Sequence, residues 1–282
     1  MSTTLKKVEN SRDAVTIKSI IKSIIKNRHL IYQMSKRETL AKYKGSTLGI
    51  LWSVITPMFM LVIYTFLFSV VFKAKWSVGV SESKYEFAIV LFAGLLTHTF
   101  LAEVLNKSTG LITGNANYVK KVVFPLEILP VINILCVVFN TLISIGVLLL
   151  AILIIKHQIP LTAFLLPLVF IPLIVLAAVF SWILSSLGVF IRDMGQSISI
   201  LTMVLSFLAP VFYPVSAVPE LLRPWLMLNP LTFIIEQVRN VLIWGVMPNF
   251  TGLAIYTLFA SIVAWVGYIW FQKTRKGFAD VL

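Results

Sequence analysis

Residues 114–125 read GNANYVKKVVFP, a short polar and basic break between two long apolar runs. The runs on either side decide the class. Stretches of more than about 18 residues with few charges can cross a hydrocarbon core about 30 Å thick as helices, because a helix satisfies its backbone hydrogen bonds internally where water is absent. Several such runs follow one another along 282 residues that are 59% hydrophobic and only 12% charged. The chain therefore reads as an all-α integral membrane protein. The break leaves the bilayer through Asn115, Asn117, Lys120 and Lys121. Pro125 suits the first position of the following helix, where its missing N–H would be unpaired anyway, and Glu127 then sits where a helix N-terminus favours negative charge. Two readings of the break stand side by side: a solvated loop whose lysines mark the cytoplasmic side, or a handle that receives mechanical work from outside the bilayer.

Working outward, spans are expected near 48–72, 87–112, 128–155, 164–191, 198–213 and 253–271. They divide the chain into a basic amphipathic segment 1–47, a six-span domain 48–272 containing a connector at 113–127, and a tail 273–282. With the N-terminus inside, the first segment, the connector with Lys107 beside it, the Arg192 turn and the tail hold eighteen Lys and Arg, whereas the outer side holds six. The positive-inside rule then puts both termini in the cytoplasm.

The formal net charge of +13 does not point to nucleic acid, because eleven of the 24 Lys and Arg precede Gly45. Ile17, Ile20, Ile21, Ile24 and Ile25 share one helical arc, while Lys18, Lys22 and Lys26 follow an i, i+4 line on another. That is the pattern of a helix lying on an anionic membrane surface; a mobile basic tail is the alternative. A second basic stretch, 34–49, runs into the first span, and Gly45 and Gly49 are candidate turning points. The first 45 residues lack the short apolar core and cleavage site of a signal peptide. The single cysteine, Cys136, leaves no internal disulfide and reads as a packing residue.

Residues 214–250 break the pattern, being too apolar for an ordinary loop and too interrupted by Pro219, Pro224, Pro230 and Pro248 for one span. Two short helices joined at Asn229 and Pro230 satisfy it, as a re-entrant hairpin in the outer leaflet. A seventh span over 230–246 is the alternative; it would be short and would carry Glu236 and Arg239. These two are i, i+3 neighbours able to pair. A pair beside a water-filled opening contributes only about 0–1 kcal/mol, so reversing either charge is expected to loosen closure without unfolding.

Chemistry-bearing patterns are sparse. No GxxxxGK[ST] phosphate loop occurs, so ATP hydrolysis by that route is excluded. No His, Cys and carboxylate group has metal-ligand spacing, and His98 and Glu103, five positions apart, do not share a helix face well. No residue is assigned as catalytic or metal-binding. The turn at Arg192 and Asp193 reads equally as a local ion pair.

The runs LGILWSVITP at 48–57, NYVKKVVFP at 117–125, LGVFIRDMGQ at 187–196, FYPVSAVP at 212–219 and LNPLTFIIEQVRNVL at 228–242 together resemble the permease subunit of bacterial ABC exporters for O-antigen polysaccharides and teichoic acids. The likeness covers nearly the whole chain. It implies a six-helix half-transporter of the inner membrane that pairs with itself and with two copies of a separate ATPase carrying ATP and Mg. It also implies passage of a lipid-linked polymer through a central channel. On the same resemblance, Asn117, Tyr118, Lys120 and Lys121 belong to the helix that docks on the ATPase. Residues 34–44, with Lys36, Arg37, Lys42 and Lys44, form the interfacial helix where the lipid head enters, and 219–244, with Pro219, Asn229, Pro230, Glu236 and Arg239, are the outer gate. Channel-lining candidates are inferred from the 35 aromatics, whose faces pack on sugar rings: Phe59, Phe66, Phe92, Phe100, Phe207, Phe212 and Tyr213. Teichoic acid or capsule export, a small-lipid or drug exporter, and a membrane-embedded transferase or scaffold of polymer synthesis are the alternatives.

The charge distribution makes a direct prediction about orientation. In a Cys136→Ser background, single cysteines at Ser77 and Ser216 label from outside intact cells, and one at Asn115 labels only after permeabilisation. Labelling of Asn115 in intact cells overturns the orientation.

Overall fold

The computed structural model describes residues 17–72, 76, 85–121 and 124–282, and their regular structure is helical throughout. In chain order the helices are α1 (Ile17–Lys26), α2 (Arg28–Ala41), α3 (Gly49–Val71), α4 (Glu86–Thr109), α5 (Ala116–Lys121) and α6 (Leu129–Lys156). There follow α7 (Leu166–Phe190), α8 (Met194–Leu208), α9 (Arg223–Met227), α10 (Pro230–Arg239), α11 (Phe250–Thr274) and α12 (Phe278–Val281). Expectations that fall on residues 1–16, on Ser77, or on Lys73, Lys75 and Lys84 lie outside the described residues.

The bundle is arranged around α4. Its apolar residues include Ala88, Ala93 and Gly94, which are small enough to let neighbouring backbones approach. Helices α6, α7 and α10 pack on it, α3 and α8 flank it, and α11 packs on α7. As a result α4 is largely buried, whereas α3 is the most exposed of the long helices. One apolar cluster fills the middle and the hairpin end of the bundle, through Phe100, Phe170, Leu173, Ile235 and Leu242. A second fills the connector end, where Ile31, Phe124, Ile132, Trp182, Phe271 and Phe278 meet.

Among the described residues five helices, α3, α4, α6, α7 and α11, are long and apolar enough to cross a membrane. The fifth expected span, 198–213, is shifted and shortened. Helix α8 begins at Met194, ends at Leu208 and has 15 residues, about 22 Å at 1.5 Å per residue. Its stop has a local cause: Ala209 precedes Pro210, whose ring pushes the preceding residue out of the helical region, and Ala209 is extended with ψ 152°.

The approach to α3 turns where glycine permits it. Gly45 and Gly49 have φ of +87° and +52°, a left-handed conformation that side chains with a Cβ resist. On α1, Ile20 and Ile24 pack on the connector-end cluster, whereas Ile21 and Ile25 are exposed. The isoleucine arc is thus divided between the protein and its surroundings.

Candidate functional site

The connector is built against its neighbours in sequence-distant pairs. Tyr118 on α5 stacks on Phe124 with centroids 4.6 Å apart, and its hydroxyl accepts a hydrogen bond from Arg37 Nη2 of α2 at 3.0 Å. This contact raises the pKa of Arg37, keeping the guanidinium charged. Asn117 and Lys120 are exposed, and Lys120 donates to the Leu282 carbonyl; the side chain of Lys121 lies outside the described residues. Glu127 is more than a helix-terminal charge, because it accepts from Ser23 Oγ at 3.0 Å and from Arg275 Nη1 at 2.8 Å. On α2, burial pushes the Glu38 carboxyl above its ordinary range, opposed by the charges of Arg37 and Lys107. Lys36 and Lys44 are exposed.

A cleft of about 290 Å³ runs between α3, α4 and α6; its wall is mostly apolar, through Pro57, Met60, Phe92, Leu95 and Phe100, and Thr56, Thr99, Glu103, Asn140 and Ser144 are among its polar groups. Toward the connector it meets a recess of about 400 Å³ that adds Lys42, Tyr43 and Trp52. Glu103 anchors the junction, 2.6 Å from Lys107 Nζ and 3.6 Å from Lys42 Nζ, and Asn140 accepts from the Tyr43 hydroxyl at 3.2 Å. Sequence reasoning named Phe92 and Phe100 of this lining and missed its polar groups. Their trace is present: Asn140 and Ser144 stand i, i+4 along one apolar span.

At the opposite end the hairpin forms as two arms joined at Asn229 and Pro230. Asn229 caps α10 by accepting from the Leu231 N–H at 2.9 Å. Beyond Arg239 the helix widens over Asn240–Trp244 and stops at left-handed Gly245. Carbonyls loosened there find protein donors, since Thr162 Oγ1 donates to Val241 O at 2.7 Å and Lys156 Nζ to Ile243 O at 3.3 Å. The second arm is buried against α4 and α7, with Leu231, Ile234, Ile235 and Val238 inaccessible. The first arm is not. Leu221, Trp225 and Leu228 are 84%, 70% and 74% exposed.

Arg239 corrects the expectation of a weak, water-exposed pair. Its side chain has no exposed surface. Nε donates to the Val90 carbonyl at 3.1 Å, Nη1 to Pro210 at 2.7 Å and Nη2 to Val211 at 3.0 Å, while its charge lies 4.2 Å from the Trp76 ring centroid. Glu236 stands farther off, 3.5 Å from Nη1, and is one-third exposed. Gly94 supplies the room, because a Cβ there would lie 2.6 Å from Nη2. The guanidinium thus joins α4, the break after α8 and the second arm.

The aromatic candidates separate by burial. Phe92 and Phe100 are buried at 5% and 1%, with Phe100 edge-on to Phe170 at 5.9 Å, and both line the cleft between α3, α4 and α6. Phe59, Phe66 and Phe207 are exposed. Phe212 is stacked between Phe68 and Phe207, and the Tyr213 hydroxyl donates to the Phe207 carbonyl at 2.9 Å. Pro219 lies in the first arm. Arg192 and Asp193 are both exposed and form no ion pair with each other.

The two hairpin charges are therefore predicted to behave unequally. Arg239→Gln strips charged donors from buried carbonyls and costs on the order of 3–5 kcal/mol. Glu236→Gln costs less than about 1 kcal/mol. Thermal unfolding of the purified variants checks this, and equal shifts in midpoint contradict it.

The chain was compared with known proteins. It is 26% identical over 255 residues to an O-antigen export system permease protein RfbA of Klebsiella pneumoniae, covering 90% of this chain and 95% of the relative. It is 23% identical over 263 residues to the protein of that name in Myxococcus xanthus, covering 93% and 98%. To the polysialic acid transport protein KpsM of Escherichia coli it is 24% identical over 247 residues, covering 85% and 91%. The model of the ABC-2 type transporter family matches residues 29–243, from α2 through the widened end of α10. This protein, with five long apolar helices among its described residues, belongs to the ABC-2 type transporter family.

Proposed function

We propose that this chain is the membrane-spanning half of an ATP-driven exporter that moves a lipid-linked, O-antigen-like polysaccharide from the cytoplasm to the outer face of a bacterial inner membrane. The observation that carries this reading is the likeness to named O-antigen export permeases along nine-tenths of the chain. Two copies form the channel, and two copies of a separate subunit bind ATP and Mg and hydrolyse the nucleotide. The likeness to a polysialic acid transport protein favours a second reading, export of a capsule polymer, by the same route.

In this account α8 makes the fifth of six crossings, with the hairpin closing its outer side, and both termini are cytoplasmic. Helix α1 lies on the membrane surface with Ile21 and Ile25 toward lipid. The exposed rings of Phe59, Phe66 and Phe207, with Phe212 and Tyr213 beside them, line the passage, where an aromatic face packs on a sugar ring without demanding one hydrogen-bond pattern. Helix α5 is the docking point for the ATPase, through Asn117, Tyr118, Lys120 and Lys121; Lys36, Arg37, Lys42 and Lys44 surround the place where the lipid head enters. The exposed first arm of the hairpin is the moving part of the outer gate, and the buried second arm is its fixed post.

A cysteine at Tyr118 is expected to cross-link to the co-expressed ATPase. The double variant Tyr118→Ala, Lys120→Glu is expected to lower surface polymer while still inserting into the membrane. Undiminished surface polymer would return these residues to the role of orientation signals.

A further inference from the structure

Glu127 lies two residues beyond Pro125, at the exit of the connector, with its side chain 14% exposed. Its Oε1 accepts from Ser23 of α1 and its Oε2 from Arg275, just beyond α11, at 3.0 and 2.8 Å. Arg275 also donates through Nη2 to the Phe124 carbonyl at 3.2 Å. Trp182 Nε1 of α7 donates to the backbone carbonyl of Glu127 itself at 3.1 Å. One residue thus fastens the end of the connector to three elements that lie 55 to 148 positions away in sequence.

The opposite end of the connector is held differently. Among the described residues, Gly114 and Asn115 hydrogen-bond to Gly110, Leu111 and Ile112 nearby, and Ile112 is fully buried in the connector-end apolar cluster. That end is fixed by apolar packing, whereas the end that enters α6 is fixed by directional hydrogen bonds and an ion pair to distant elements. A load applied to α5 therefore reaches α1 and the end of α11 through Glu127.

We propose that Glu127 is a positioning residue that converts a push on the connector into a joint movement of α6 and α11. This rests on the reading of α5 as the docking point of the ATPase. The geometry suits the task, because α6 begins two residues after Glu127 and α11 ends directly before Arg275, so the ion pair ties the two helix ends together and carries α1 with them. A carboxylate is suited to this position because both oxygens accept at once, one from a cation and one from a hydroxyl. Glutamine keeps one acceptor oxygen and turns an amide N–H₂ toward Arg275 or Ser23.

The test uses the full complex with its ATPase, in liposomes supplied with the polymer, and reads ATP hydrolysis and polymer transport in the same vesicles. Glu127→Gln is expected to leave hydrolysis within about twofold of wild type and to lower polymer moved per ATP by roughly tenfold. The exchange Glu127→Arg, Arg275→Glu is expected to recover part of that ratio. Ser23→Ala, which removes one hydrogen bond and leaves the fold intact, is expected to lower it by about threefold. Hydrolysis and transport falling in proportion, or a wild-type ratio in Glu127→Gln, would overturn the proposal; if that variant does not assemble, a wild-type ratio in Ser23→Ala does so. Cross-linking from Tyr118 separates the two claims. A cross-link from Tyr118→Cys with an undisturbed ratio in Glu127→Gln removes Glu127 alone, and an absent cross-link in Tyr118→Cys with Glu127 intact removes the docking point.

Discussion

A guanidinium with no exposed surface is tolerated only when its N–H groups find acceptors, since an unpaired buried charge costs several kcal/mol. Arg239 meets that demand with backbone carbonyls from α4 and from the break after α8. The carbonyls of Pro210 and Val211 lie just past the end of α8, where the helix no longer supplies donors, so the arginine and the break depend on each other. The wall of the bundle, the end of α8 and the second arm of the hairpin are thereby one unit. The first arm has no comparable tie to the bundle. Arg223 donates to Ser216 and Val218 within the arm itself, and the links at its end are Asn229 to the Leu205 carbonyl at 3.5 Å and Thr232 to the Leu226 carbonyl at 2.7 Å. The two arms are unequal, and any gating assigned to the hairpin falls to the first.

The connector end follows similar physics at lower burial. Charged groups there are partly exposed and individually weak, yet they are arranged so that α1, α2, the connector and the end of α11 meet through Arg37 with Tyr118 and Glu127 with Arg275. Between the two ends lies the cleft that holds Glu103 and Asn140.

Much of this was written in local sequence. The long apolar runs predicted α3, α4, α6, α7 and α11, the Asn229–Pro230 pair predicted the joint of the hairpin because asparagine caps and proline starts a helix, and Gly45 with Gly49 predicted the turn into α3. The failures have physical reasons. The apolar stretch continues past Leu208, so only Pro210 hinted at the early end of α8. Arg239 was taken for a surface pair because its partners are backbone carbonyls 28 to 149 residues away, and such acceptors leave no mark in side-chain identity. Glu127 showed its position at a helix start but not its two donors, which come from opposite ends of the chain.

The central claim is that the first arm closes the outer mouth of a channel between two copies while Arg239 holds the second arm still. Ion leak through the reconstituted protein without ATP tests it most directly. Shortening the first arm between Ala217 and Leu228, with Arg239 and its acceptors intact, is predicted to raise the leak above wild type. A shortened protein that assembles normally and remains as tight as wild type would contradict the account.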